Sequence, residues 1–265
     1  WQHMIEPLVE INYGRKDYYG VLAESWTFQG NTWTFRLRKG IRFHNGAPFT
    51  AHDVVHSVHR IKNDKRSLQK SNFDDLTEVQ APDDHTVVFT TAVPNAVLLD
   101  RLQNRFVVSR NAAEKYGDDA DQHAIGTGPY KFVSWQRDGN LVMTRNDDYW
   151  GQKAAIKEIV LKKVGEDAAR MAGLLAGQGD VVNNVPVEEI ARLDKHPRVR
   201  AEKIEGLRMY FLAMNVTHKP FDNKLVRQAF NYAVDPTVVI KHIYEGEGYV
   251  MSRAPGANVI GFDPK

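Results

Sequence analysis

Three histidines, His52, His56 and His59, recur at spacings of four and three within "AHDVVHSVHRI". On a helix that spacing places them on one face. "HDVVH" is similar to the H-E-x-x-H pattern of zinc hydrolases, with Asp53 where the glutamate base would stand. Hydrolysis at zinc needs a base in a shielded cleft, and Asp53 is already useful at the start of a helix. Val54, Val55, Val58 and Ile61 form an apolar stripe opposite the histidines. The pattern therefore predicts a solvated histidine face, with adventitious metal capture as the lesser alternative.

A second candidate is "IGTGPYKFVSW", Ile125 to Trp135. A phosphate-binding loop needs a helix after its glycines, with backbone N–H groups free to meet the anion. Pro129 removes one donor, the following residues read as a strand, and no Lys-Ser/Thr pair follows. The stretch predicts a tight backbone path with a hairpin behind it. Other catalytic sets are absent. There is no G-x-S-x-G and no cysteine, and the adjacent acids at 74–75, 83–84, 118–119 and 147–148 read as turn residues. Tyr130, Phe132, Trp135, Tyr149 and Trp150 read as core or hairpin aromatics, any of which could instead line a ligand cleft. Acids interrupt the basic residues near them, which argues against nucleic acid.

These residues must be held by a chain of 265 residues, long enough for one large domain or two smaller ones. Thirty-five basic and 33 acidic residues leave a net charge of +2, too balanced to call for nucleic acid or an anionic membrane. No apolar run approaches the roughly 20 residues of a membrane span. No basic-then-apolar leader opens the chain, and both ends look cut.

Alternation in "TWTFRLRKGIRF" predicts a half-buried strand, and Gly30-Asn31 before it makes Trp26 to Leu37 a hairpin. Thr50 and Asp53 predict a capped helix start. "HTVVFTT" reads as a strand and "NAVLLDRL" as a helix. "YKFVSW" and "LVMTRN" read as a hairpin through Asp138-Gly139, followed by a strand in "IKEIVLKKV". "EDAARMAGLLAGQGD" predicts a helix with Ala168, Met171, Ala172 and Leu175 inward, ended by Gly177 and Gly179. "PVEEIARLDKH" predicts a helix opened by Pro186, "LRMYFLAMN" a buried strand, and "DNKLVRQAFNYAV" and "DPTVVIKHIY" two more helices. Strands and helices mix without regular alternation or repeats, which gives a mixed α/β class.

"IEPLVE", "LAESWTFQGNTWTFRLRKGIRFHNGAPFTAHDVVHSVHRI", "IGTGPYKFVSW", "RNDDYWG" and "MNVTHKPFDNKLVRQAFNYAVD" follow one another across nearly the whole chain. In order and spacing they resemble the family 5 extracellular solute-binding proteins, receptors of bacterial importers driven by ATP (ABC importers). The resemblance implies a periplasmic-binding-protein-like fold of two lobes, with lobe I nearly complete and lobe II truncated. Residues 1–12 and 125–212 would form the central sheet of lobe I, 13–124 an inserted subdomain, and 213–265 the start of lobe II.

It also implies a receptor that captures peptides or a similar amino-acid-derived solute and hands it to an inner-membrane ABC permease. No catalysis, cofactor, metal or nucleic acid would be involved. The setting would be periplasmic, or extracellular with a lipid anchor, and the full-length protein a monomer. Glu6 matches the glutamate of the family's "YEPL" motif, with Ile5 in place of tyrosine. Arg66 and Arg105 resemble arginines that reach anionic ligands in the nickel-chelate branch, and a guanidinium can fork onto a carboxylate. The alternative is two solvated arginines. Polar Gln69 stands where that branch has an aromatic platform, so a metal chelate is disfavoured, and "MNVTHKPFDN" is closer to the glutathione and peptide receptors. Phe106 and Tyr210 complete the expected ligand contacts. Two other classes remain: a ligand-sensing domain of a transcriptional regulator, and a zinc hydrolase using His52 and His56.

Overall fold

The computed structural model describes residues 2–12, 14, 17–117, 123–204 and 209–251. The chain divides into two compact units, 1–163 and 164–265.

The first unit opens with two short antiparallel strands, β1 (Val9–Asn12) and β2 (Asp17–Gly20). A four-stranded antiparallel sheet follows, in the order β3-β4-β6-β5, from β3 (Ala23–Gln29), β4 (Thr32–Leu37), β5 (Leu76–Asp83) and β6 (Thr86–Thr91). The expected Gly30 turn joins β3 to β4, with Gly30 at φ +63°, a conformation that glycine adopts without a Cβ penalty. Trp33 faces Phe89 and Phe35 faces Val87 across the ladder. All four are buried, and Phe35 meets Phe89 edge-to-face at 5.4 Å.

Helix α1 (Ala51–Asn63) lays Val54 and Val58 into this core, with Val55 and Ile61 packed at its margin. Its start is the expected one: Asp53 Oδ2 accepts from the Thr50 backbone N–H at 2.9 Å and from the Thr50 hydroxyl at 3.0 Å. The other Asp53 oxygen accepts from Arg110 N–H at 3.0 Å. It thereby ties α1 to a helix that the sequence pattern did not suggest, α3 (Arg110–Tyr116). The helix expected in "NAVLLDRL" is present only as the short α2 (Leu98–Leu102). The connector at 118–122 lies outside the described residues.

A separate three-stranded sheet comprises β7 (Tyr130–Trp135), β8 (Asn140–Arg145) and β9 (Glu158–Lys162) in that order. It buries Tyr130 and Met143 against Met4, Ile5 and Ala124. The glycines before β7 explain how these segments meet. Neither Gly126 nor Gly128 has positive φ. A Cβ on Gly126 would overlap the Met4 carbonyl oxygen and come within 2.7 Å of Ile5 Cα, and one on Gly128 would lie 2.8 Å from His3 O. The glycines serve close backbone approach, and the approach is bonded: Gly128 N–H to Met4 O and Tyr130 N–H to His3 O, each 3.0 Å.

The second unit contains α4 (Asp167–Leu175), α5 (Val187–Asp194), α6 (Lys224–Ala233) and α7 (Pro236–His242). The inward face of α4 is Met171 with Leu174 and Leu175; Ala168 and Ala172 are exposed, contrary to expectation. Arg170 sets that orientation by reaching the carbonyls of Val164 (3.1 Å) and Asn184 (3.0 Å). The buried strand expected in "LRMYFLAMN" is not found. Leu207 and Arg208 lie outside the described residues, and Met209 to Leu212 have no strand assignment and are exposed. Among the described residues no strand pairs with this run, so its apolar side chains have no ladder to join.

Replacing Gly126 by alanine should destabilise the first unit by about 3 kcal/mol, because backbone must move to admit the methyl group. Gly30→Ala meets open space and should cost only about 1 kcal/mol of backbone strain. Urea denaturation of the two variants checks the ranking.

Candidate ligand-binding wall

Glu6 lies in an apolar run, with Met4, Ile5, Leu8 and Val9 all buried around it. The run carries its carboxylate inside, at 5% exposure. A buried carboxylate needs donors, and three side chains supply them. Oε1 accepts from the Tyr149 hydroxyl at 2.5 Å, and Oε2 from the Thr127 hydroxyl at 2.7 Å and Trp150 Nε1–H at 2.9 Å. Burial raises the Glu6 pKa, the three donors oppose the shift without cancelling it, and the Glu10 charge adds to it. Burial, with the carboxylate beside it, pushes the Tyr149 hydroxyl well above its usual range. In the neighbouring strand pair Tyr19 donates to Glu10, and burial with that bond pushes its pKa up to about 12.

The donors are aimed by a turn. Asn146 N–H donates to Pro129 O at 2.8 Å and its side-chain amide to Gly128 O at 3.2 Å. The Asn146 carbonyl then accepts from Tyr149 N–H at 3.2 Å. This pins "NDDYW" to the glycine crossover and turns both aromatic side chains toward Glu6. Trp150 is covered on its ring by the Arg38 guanidinium, 5.6 Å from the centroid.

The Glu6–Pro7 backbone also holds the segment of Arg105 and Phe106. Val107 N–H donates to Glu6 O at 3.0 Å, and Pro7 and Phe106 form a β-bridge. Glu6, Arg105 and Phe106 thus lie on adjoining backbones. Phe106 also lines a pocket of about 390 Å³ with Ile5, Val108, Ala124, Ile125 and Trp135; Glu6, Arg66 and Arg105 are not among its lining residues. The Arg105 guanidinium is partly desolvated, which lowers its pKa, although the Asp100 charge acts the other way. Its Nη1 donates to Asn104 O at 2.9 Å, its Nε is buried with no hydrogen-bond partner, and among the described residues no carboxylate pairs with it. Arg66, in the loop after α1, is forked onto Asp64 through Nε (3.2 Å) and Nη2 (3.1 Å). Tyr210 belongs to the second unit, is 72% exposed, and lies 5.6 Å from the Tyr244 ring.

The histidine face differs in part from expectation. His52 and His59 are exposed, with His52 Nε2 3.6 Å from Asp84. His56 is half-buried, and its Nε2 has no partner. Among the described residues no three His, Cys, Asp or Glu side chains are grouped to hold a metal.

The family model for bacterial extracellular solute-binding proteins, family 5, matches residues 17–265. The chain belongs to this family. Heme-binding protein A of Haemophilus influenzae is 31% identical over 93% of this family 5 chain and 50% of its own length. The glutathione-binding protein GsiB of Pectobacterium atrosepticum is 32% identical over 92% of this chain and 49% of its own. The solved structure of the periplasmic binding protein DppA from Helicobacter pylori, in complex with the peptide STSA, superposes with a TM-score of 0.86. It is 28% identical and matches 98% of this chain and 56% of its own. The chain therefore spans about half the length of these relatives and has the mixed α/β fold of periplasmic binding proteins. Among the described residues no helix is long and apolar enough to cross a membrane.

Sequence reasoning singled out Glu6 but missed Thr127, Tyr149 and Trp150 as its partners. Their signal was present: each lies in a segment that carries the family resemblance.

Glu6→Ala should cost about 3 kcal/mol by stranding three buried donors, while Glu6→Gln, which keeps the shape and an acceptor, should cost much less. The raised folded-state pKa fixes the pH sign. Glu6 contributes its full stability below about 4.5, the ordinary carboxyl value, and loses it as pH rises through the folded-state value. Glu6→Gln should therefore gain on wild type as pH rises above about 4.5, measured by urea melts from pH 4 to 8.

Proposed function

We propose that the chain is part of a substrate-binding receptor of an ABC importer. It captures a small peptide or similar amino-acid-derived solute and passes it to a membrane permease without chemical change. The family supports the receptor role. The glutathione named for GsiB and the peptide held by DppA support the ligand class. A periplasmic or lipid-anchored extracellular setting, a monomeric full-length state and independence of nucleic acid and metal belong to the same reading.

In this proposal residues 1–12 and 125–212 contribute the central sheet of lobe I, 13–124 the inserted subdomain, and 213–265 the start of lobe II. The first unit has two buried clusters that follow this division in the main. One joins side chains from Leu22 to Val107, with Leu8 and Val9 of the sheet segment added to it, and the other is built from Met4, Ile5, Ala124, Tyr130 and Met143. A ligand bridging two lobes stabilises the closed form by binding it more tightly than the open one.

The single observation that carries the ligand chemistry is Arg105. A partly desolvated guanidinium with a buried, unbonded Nε and no carboxylate partner among the described residues suits a carboxylate from outside the chain. In our reading Arg105 and Phe106 touch the ligand, and the Glu6 segment, anchored by the Thr127, Tyr149 and Trp150 bonds, holds their backbone in place through the Val107–Glu6 bond. Arg66, from the loop after α1, and Tyr210 are further proposed ligand contacts.

In the protein as encoded, Arg105→Ala should weaken a peptide with a free C-terminal carboxylate about tenfold or more. Its C-terminal amide should be much less affected, as read by calorimetric titration of both. Equal weakening would reject a direct ion pair.

A further inference from the structure

The ring of His44 is bonded at both nitrogens by the crossover that precedes β7. Nε2 lies 2.9 Å from Gly128 O, and Nδ1 accepts from Gly126 N–H at 3.3 Å. The backbone repeats the link, with His44 N–H donating to Gly126 O at 2.8 Å. A carbonyl can only accept and an amide N–H can only donate. The two ring bonds together therefore fit one species, the neutral imidazole carrying its hydrogen on Nε2. A second proton must go to Nδ1, where it would confront the Gly126 N–H.

We infer that His44 is a pH-sensitive clip. Neutral, it fastens the 41–49 loop, which leads into α1, to the crossover that carries Thr127. Protonated, it gives up the Gly126 bond and loosens that joint.

The surroundings of the ring agree. Burial is the main influence and disfavours the charged form, and Lys131 on β7 acts in the same direction. The carbonyls of Gly128 and Ala124 favour the charged ring but are outweighed. Among the described residues Lys131 is the charged side chain that acts on the ring. Because the folded-state pKa lies below the ordinary value of 6.5, the unfolded chain takes up the proton first as pH falls. The clip contributes fully above about 6.5 and is lost as pH falls through the folded-state value. The joint backs the Glu6 network through Thr127, one residue from each of the two glycines.

The test needs no ligand, so its outcome is independent of the receptor proposal. Ring ¹⁵N shifts of His44 and the exchange protection of the Gly126 amide would be followed from pH 8 to 4, in the wild-type chain and in His44→Gln. We expect the Nε2–H tautomer at neutral pH and a titration midpoint below that of a free histidine. Gly126 protection should fall about tenfold across that titration, after correction for intrinsic exchange, the scale of one lost hydrogen bond. His44→Gln should lack this pH-dependent step. If that variant does not fold, the wild-type tautomer, midpoint and Gly126 protection decide alone. An Nδ1–H tautomer, a midpoint at or above the free-histidine value, or unchanged Gly126 protection would overturn the inference.

Discussion

A carboxylate taken out of water must be surrounded by donors, and much of the first unit is arranged to satisfy that requirement at Glu6. The donors come from residues 121, 143 and 144 positions further along the chain. Their convergence demands that the crossover lie directly on the backbone of residues 3–5, which only Gly126 and Gly128 permit. It also demands that the 146–149 turn be pinned to the same crossover, which Asn146 does. Remove that buried acceptor and the reason for Tyr149 and Trp150 to turn inward is lost.

That dependence ties together four of the stretches that carry the resemblance. "IEPL", "HNGAPF", "IGTGPY" and "NDDYW" are not independent signatures. In the fold they are one contact group: Glu6 bonds Thr127, Tyr149 and Trp150, His44 bonds Gly126 and Gly128, and Asn146 bonds Gly128. Side chains that must satisfy one another through defined hydrogen bonds cannot be exchanged singly, whereas the apolar core tolerates volume-conserving change.

The elements legible in the sequence were those whose causes are local. The Gly30 turn, the Thr50–Asp53 start of α1 and the Asp138-Gly139 hairpin each depend on residues within a few positions of one another. Readings that depended on a distant partner fared worse. The run 209–212 has the composition of a strand but no strand beside it among the described residues. The orientation of α4 follows Arg170 and its carbonyls rather than its alanines. Helix α3 is held partly by Asp53, more than fifty residues away, and no local pattern announced it. Glu6 was singled out through the resemblance, but Tyr149 and Trp150 were read as packing aromatics and Thr127 as part of a tight turn, since a hydrogen bond across 143 residues leaves no periodicity to detect.

The segment between the two partners has its own core, and that bears on how the chain finds its fold. Closing a loop of about 121 residues in an otherwise unstructured polymer costs roughly 4 kcal/mol in chain entropy, plus a constant. Leu8, Val9 and Val107, however, belong to one buried cluster. Once that cluster has condensed, the two ends of the intervening segment are already neighbours. What remains to be closed is about two dozen residues of tail, which lowers the entropic cost by roughly 1.4 kcal/mol. The early part of the chain thus acts as a splint for the rest: its condensation brings residues 3–6 within reach of the crossover.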